Sequence, residues 1–191
     1  MSMRTVLERS IEAAPTFADV GATRAAALDG APLPGGWNHV RLQQVVGRGE
    51  GALEAAADCV LGWRMHRGAG LGVLAQAPRA ELGSTVVVAI GLGPLRILAP
   101  CRIVWTVDEP DRRGFGYAAL PGHPEEGEEA FLVSRDAEGA VTFTVVAFSR
   151  PARRLTRLAG PVVVLGQRLA AHGYARAVRR ACAAAVRRAP A

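Results

Sequence analysis

Apolar and polar residues alternate through the middle of the chain, and helical spacing takes over in the regions that flank it. In "WNHVRLQQVVGRG", Val40, Leu42, Gln44 and Val46 fall on one side, the period of two that marks a strand. In "GEGALEAAADCVLGWRMHR", Leu53, Ala56, Ala57, Val60 and Leu61 recur at three and four. That spacing predicts a helix, and Gly62 divides it into two short ones. Five strand-like runs follow, bounded by turn signals: "GSTVVVAIGLG", "APCRIVWTVDE", "RGFGYAAL", "EEAFLVSRD" and "GAVTFTVVAFSRP". Glu138-Gly139 in "SRDAEGAV" predicts a hairpin, and links this short require antiparallel neighbours. After Pro151 the pattern returns to helix. Pro161 suits the first position of a long one, over about 161–186. Along it Val162, Leu165, Leu169, Val178, Cys182 and Ala185 are read as one apolar stripe, with Arg168, Arg176, Arg179 and Arg187 largely on other faces. Residues 1–36 hold a short helical piece and a turn-rich approach, "LDGAPLPGGW".

The expected order is strand, two short helices, five or six antiparallel strands, long C-terminal helix. A curved antiparallel sheet needs its apolar face covered, and only the last helix is large enough to cover it. This is an α+β arrangement with the layout of the START-like helix-grip fold, whose sheet wraps the terminal helix and leaves a cavity between them. Residues 1–191 are read as one helix-grip domain, with 1–36 an N-terminal extension packed on it. Parity then assigns faces. Phe115 with Tyr117, Glu129 with Phe131 and Val133, and Val141 with Phe143 and Val145 should point inward. So should Cys101, Ile103, Trp105 and Val107. Glu128 should then face solvent.

Composition changes this picture little. The chain is 191 residues long and half apolar, enough for a sizeable core. Its formal charge is +6, and every basic residue is arginine. The arginines are dispersed and lie near Asp and Glu, so a solvated surface is the preferred reading over a nucleic-acid or anionic-membrane site. Three distant cysteines, Cys59, Cys101 and Cys182, form no CxxC pair and suit a reducing compartment. No run has the length of a signal-peptide core or a membrane span. A cytoplasmic protein is expected.

The chemistry concentrates in "GFGYAALPGHPEEGEEAFLV", residues 114–133, where two prolines, a histidine and four glutamates crowd between two strands. Pro121 and Pro124 fix two φ angles around Gly122-His123, so the loop should hold its shape at one end of the cavity. A rigid His123 beside an inward Glu129 has the makings of acid–base chemistry. The alternative is that His123 and the glutamates only cap and anchor the hairpin. A carboxylate among aromatic residues needs a partner, and an arginine or a backbone amide near the rim is expected to supply it. "GWRMHR" places Trp63 and His66 near the second short helix, at the expected cavity mouth. The candidate ligand-binding set is Trp63, His66, Trp105, Tyr117, His123 and Glu129.

Other signals fail on spacing. Gly47, Gly49 and Gly51 in "VVGRGEGALEAA" do not match G-x-G-x-x-G, and no βαβ unit follows. "GLGVL" and "IGLGPL" lack the Lys-Ser/Thr of a phosphate loop, and no G-x-S-x-G elbow is present. His39, His66, His123 and His172 form no metal-binding pair. Neither a metal nor a cofactor is expected.

The run "GFGYAALPGHPEEGEEAF" resembles the signature of domain-of-unknown-function family nineteen-ninety, with Ala118 and Ala119 where Gly-Thr is usual. "FADVGAT", "GRGEGALEAAADCVLGWRMHR", "CRIVWTVDE" and "VVAFSRPARRLTRLAGPVVVLGQR" extend the resemblance over nearly the whole chain. The family is similar in fold to the START-like superfamily, and the resemblance implies no particular activity. Three readings of function follow. The first is a binding protein enclosing an apolar or aromatic small molecule, motivated by inward Trp105, Tyr117, Phe131 and Phe143. The second is an enzyme on the same cavity using His123 and Glu129, of cyclase, dehydratase or hydrolase type. The third is arginine-mediated binding to nucleic acid or a membrane surface.

Overall fold

The structure is a computed structural model. It describes residues 1–91, 93, 96–152 and 160–187, with the side chains of 160–165 and 167–168 outside that description. Helices α1 (Met3–Ser10) and α2 (Ala22–Leu28) precede the long strand β1 (Asn38–Arg48). Helices α3 (Glu50–Leu61) and α4 (Arg64–Gly68) lead to β2 (Gly72–Ala75) and β3 (Thr85–Ile90). Strands β4 (Ile97–Asp108), β5 (Arg112–Ala119), β6 (Glu125–Arg135) and β7 (Ala140–Pro151) form a meander, and α5 (Gly160–Val186) follows. All seven strands pair antiparallel in one curved sheet, in the order β1-β7-β6-β5-β4-β3-β2. β1 therefore returns to lie against β7, and the paired helices α3 and α4 carry the chain across to the other edge.

One face of the sheet packs on α3, α4 and α5. Its core joins Leu53, Val60 and Met65 of the short helices to Phe115, Phe131, Phe143 and Val145 of the strands. From α5 it takes Ala171, Tyr174, Ala175, Val178 and Cys182. This stripe differs from the expected one. Leu169 is 65% exposed, because it lies nine residues from Val178, about two and a half helical turns, and so on the opposite face. The side chains of Val162 and Leu165 lie outside the described residues, and Ala185 is half-buried.

The other face is covered by the N-terminal segment. Ala26 and Ala27 of α2 pack on Leu132, Val146 and Trp105, and Phe17 and Trp37 meet Phe148 edge to face. Arg102 fastens α1 by donating to the carbonyls of Ser10, Ile11 and Ala13. Trp105 belongs to this outer face, contrary to simple alternation. The β4–β5 register shifts between Ile103 and Trp105, and such a bulge turns the rest of a strand over. Cys101 and Ile103 thus face α5, while Trp105 and Val107 face α2. Gly116 sits opposite Trp105, and a Cβ there would overlap the indole.

Candidate functional site

Between the concave sheet and α5 lies a pocket of about 530 Å³. Leu71, Val88, Ile97, Ala99 and Ala170 give it an apolar wall. Its polar groups are concentrated where β5 and β6 meet the rim. Ala119, which stands where the resembling pattern has threonine, also faces the pocket and keeps that stretch apolar.

The rim is built by local rules. Leu120-Pro121-Gly122-His123 is a tight turn closed by the His123 N–H donating to the Leu120 carbonyl at 3.0 Å. Proline supplies the first central φ, and Gly122 takes the second at +96°, the residue pair that a type II turn demands. The His123 ring is then held by its own strand: Nδ1 lies 3.0 Å from the Glu125 nitrogen and 2.8 Å from its carbonyl oxygen. Burial pushes the His123 pKa down to about 4, with the hydrogen bond to Glu125 opposing the fall.

The four glutamates of the hairpin have separate partners. Glu125 accepts from the Ser149 hydroxyl at 3.3 Å. Glu126 pairs with Arg150, whose guanidinium also lies 4.2 Å above the Trp37 ring. Glu128 is buried on the outer face rather than exposed to solvent. It accepts from the Gly21 N–H at 2.6 Å, from the Thr23 N–H at 3.1 Å and from the Thr23 hydroxyl. The Trp105 indole donates to Thr23 Oγ1 at 2.9 Å and lies 3.3 Å from Glu128. One carboxylate thus ties β6 to the start of α2 and to β4. Burial pushes the Glu128 pKa up, and hydrogen bonds from Thr23, Gly21 and Trp105 oppose that.

Glu129 lies on the pocket side. It is half-buried, with its carboxylate among pocket-lining groups, and it accepts from the Tyr117 hydroxyl at 2.8 Å. The donor is therefore a cross-strand phenol, since Tyr117 and Glu129 are register partners, and not the arginine or backbone amide expected from the sequence. Burial raises the Glu129 pKa to about 7, against the pull of the Tyr117 hydrogen bond and with the charge of Glu125 adding to the rise. Tyr174, from α5, completes this end of the pocket. Burial holds both phenols well above their ordinary range, with the charge of Glu129 adding to each shift. Cys101 lines the pocket beside them, and burial with the charge of Glu129 pushes its thiol up strongly.

Tyr117, His123 and Glu129 are thus brought together on one pocket. Trp63 and His66 sit behind it, in a packed aromatic cluster. Trp63 lies 5.3 Å from Phe115 between ring centres, and its indole donates to the Ala77 carbonyl at 3.4 Å. His66 is fully buried, 5.1 Å from Tyr174, 5.3 Å from Phe131 and 6.0 Å from Tyr117. Neither His66 nitrogen has a hydrogen-bond partner among the described residues. Burial, helped by the charge of Arg67, pushes its pKa down to about 3. Trp105 is excluded from the pocket by the bulge in β4. Tyr174 is the site residue that the sequence reading missed. Its signal was available: it lies four residues before Val178 on the same helical face, and it is one of two tyrosines in the chain.

The profile of a domain of unknown function, DUF1990, matches residues 16–177. The chain belongs to this family. Among the relatives of this DUF1990 chain is a UPF0548 protein of Deinococcus radiodurans, 40% identical over 183 residues, 91% of this chain and 90% of the relative. A UPF0548 protein of Arabidopsis thaliana is 30% identical over 138 residues, 69% of this chain and 65% of the relative. In fold, the DUF1990 chain is similar to Ara h 8.0201 at a TM-score of 0.50 and 12% identity, over 78% of this chain and 99% of that one. It is similar to truncated norcoclaurine synthase from Thalictrum flavum at a TM-score of 0.53 and 10% identity, over 75% and 91%. These neighbours establish a Bet v1/START-like helix-grip fold. No helix among the described residues is long and apolar enough to cross a membrane.

Proposed function

We propose that this DUF1990 protein binds a small, largely apolar or aromatic molecule between its sheet and α5, with the polar end of that molecule at Tyr117 and Glu129. The observation that carries this is the make-up of the pocket. About 530 Å³ is walled by Leu71, Val88, Ile97, Ala99 and Ala170, with polar groups convergent at one end. A few fixed polar groups closing an apolar cleft are the usual anatomy of a small-molecule site. The Bet v1/START-like fold is compatible with that use.

Ala170 offers a direct test. It is half-buried on α5 and lines the pocket, so tryptophan in its place should fill space that a ligand needs. A neutral apolar fluorophore, N-phenylnaphthylamine, should brighten on binding the wild type and lose about tenfold or more in affinity with Ala170→Trp. The melting temperature should stay close to that of the wild type. Equal probe binding by both proteins would place the apolar site elsewhere and reject the proposal.

A second reading rests on one observation. Glu129, with its pKa raised to about 7, sits 2.8 Å from the Tyr117 hydroxyl, a pairing suited to moving a proton near neutral pH. On this reading the same pocket is an active site. His123 would take part through its remaining ring nitrogen, since Nδ1 is engaged by Glu125. The arginine-surface reading rests on the last helix, where Arg176, Arg179, Arg180 and Arg187 are exposed. Several arginines elsewhere are committed within the fold. Arg79, Arg112, Arg113, Arg135 and Arg150 are held in ion pairs, and Arg41 and Arg102 are committed to backbone carbonyls.

A further inference from the structure

The chemistry around Glu129 narrows the class of ligand, on the premise that the pocket is a binding site. Glu129 presents a carboxylate to an apolar pocket, and among the described residues its donor is the neutral Tyr117 hydroxyl. Its other near neighbours across β4, β6 and α5 are Cys101, Glu125 and Tyr174, none of which carries positive charge. The two histidines close by are held neutral by burial, His123 at the rim and His66 behind the tyrosines. The described arginines nearest in sequence and across the sheet are occupied: Arg135 pairs with Glu50 and Asp111. Arg102 caps α1 from the outer face, and Arg150 is bound to Glu126 and stacked on Trp37. Among the described residues, nothing supplies the cation that a buried carboxylate ordinarily requires. Beside it stand the two tyrosines of the pocket, whose rings favour a cation at their faces.

We propose that the ligand carries a protonated amine on its apolar body, and that Glu129 receives the ammonium with Tyr117 and Tyr174 beside it. Among the described residues, this arrangement leaves the positive charge for the ligand to bring. A neutral alcohol of the same shape gains only a hydrogen bond there, and an acid meets an unfavourable carboxylate.

The test uses three probes with one body: naphthylethylamine, naphthylethanol and naphthylacetic acid, titrated calorimetrically into the intact protein at pH 8. The amine should bind about tenfold or more tightly than the alcohol, and the acid most weakly. Glu129→Gln should collapse the amine-to-alcohol ratio towards one, and circular dichroism should show that this variant is folded. An alcohol or acid that binds as tightly as the amine overturns this inference while leaving the pocket as a binding site. So does an amine preference that survives Glu129→Gln. If no probe binds although N-phenylnaphthylamine still occupies the pocket, the amine assignment is likewise rejected. If that fluorophore fails as well, the binding-site premise falls with it.

Discussion

The Glu128→Ala protein should melt roughly 6–12 °C below the wild type, a loss of about 3 kcal/mol or more. Glu128 is buried, and its carboxylate accepts from the Gly21 N–H, the Thr23 N–H, the Thr23 hydroxyl and the Trp105 indole. Alanine leaves the Gly21 and Thr23 donors without their shared acceptor, the buried Thr23 groups most of all, and each orphaned buried donor costs about 1–3 kcal/mol. It also frees the start of α2, whose own N-cap, Gly21, offers no side chain. Glu126→Ala, two positions earlier, is the control. That carboxylate pairs at the surface with a half-exposed Arg150, and exposed pairs contribute about 0–1 kcal/mol. Thermal unfolding followed by circular dichroism separates the two. Equal melting temperatures for Glu128→Ala and Glu126→Ala would mean that the Glu128 network does not anchor the N-terminal segment.

Glu129→Gln should behave in the opposite sense, and only above a certain pH. The Glu129 pKa rises from the ordinary 4.5 to about 7 in the folded protein. A raised carboxyl pKa means that the fold prefers the protonated form. The stability this confers is fully present below about pH 4.5 and is lost as pH rises through about 7. At pH 8 the ionised carboxylate therefore costs on the order of 3 kcal/mol, which glutamine, still able to accept from Tyr117, does not incur. The variant should match the wild type near pH 4.5 and melt several degrees above it at pH 8. Protein that has been stripped of any bound small molecule is required for this measurement. On the acid side both proteins should lose stability together. His66 and His123, with pKa values lowered to about 3 and about 4, contribute stability that is complete above about 6.5 and falls away below it. A Glu129→Gln variant less stable than the wild type at pH 8 would show that the ionised carboxylate has a structural partner.

Most of the scaffold was legible because it follows local periodicity. The β1 alternation, the break at Gly62, the Glu138-Gly139 hairpin and a last helix running to Val186 all stand as the pattern indicated. The inward parity of Phe115, Tyr117, Glu129, Phe131 and Phe143 also holds, because β5, β6 and β7 pair there without a register shift. Much of what failed was non-local. A bulge between Ile103 and Trp105 leaves no mark on simple alternation, yet it moved Trp105 to the outer face. Glu128 was assigned to solvent because nothing in its own strand foretells that α2 will cover it. β2, only four residues long, was too short for its pattern to stand out. The apolar stripe of α5 was misjudged at Leu169 by joining positions on opposite faces of the helix. The pocket's polar end was visible only in part: Tyr117 and Glu129 are strand partners, but Tyr174 joins them from the other end of the chain.

Native mass spectrometry of the protein purified from its own host shows whether the pocket against α5 carries a small organic molecule. A drug-sized organic adduct, bound one to one, should dissociate on collisional activation and be missing from Ala170→Trp protein prepared in the same way. A wild-type protein that carries no adduct and takes up none from a host metabolite extract, or an adduct that Ala170→Trp retains in full, would mean that the pocket against α5 is not a binding site.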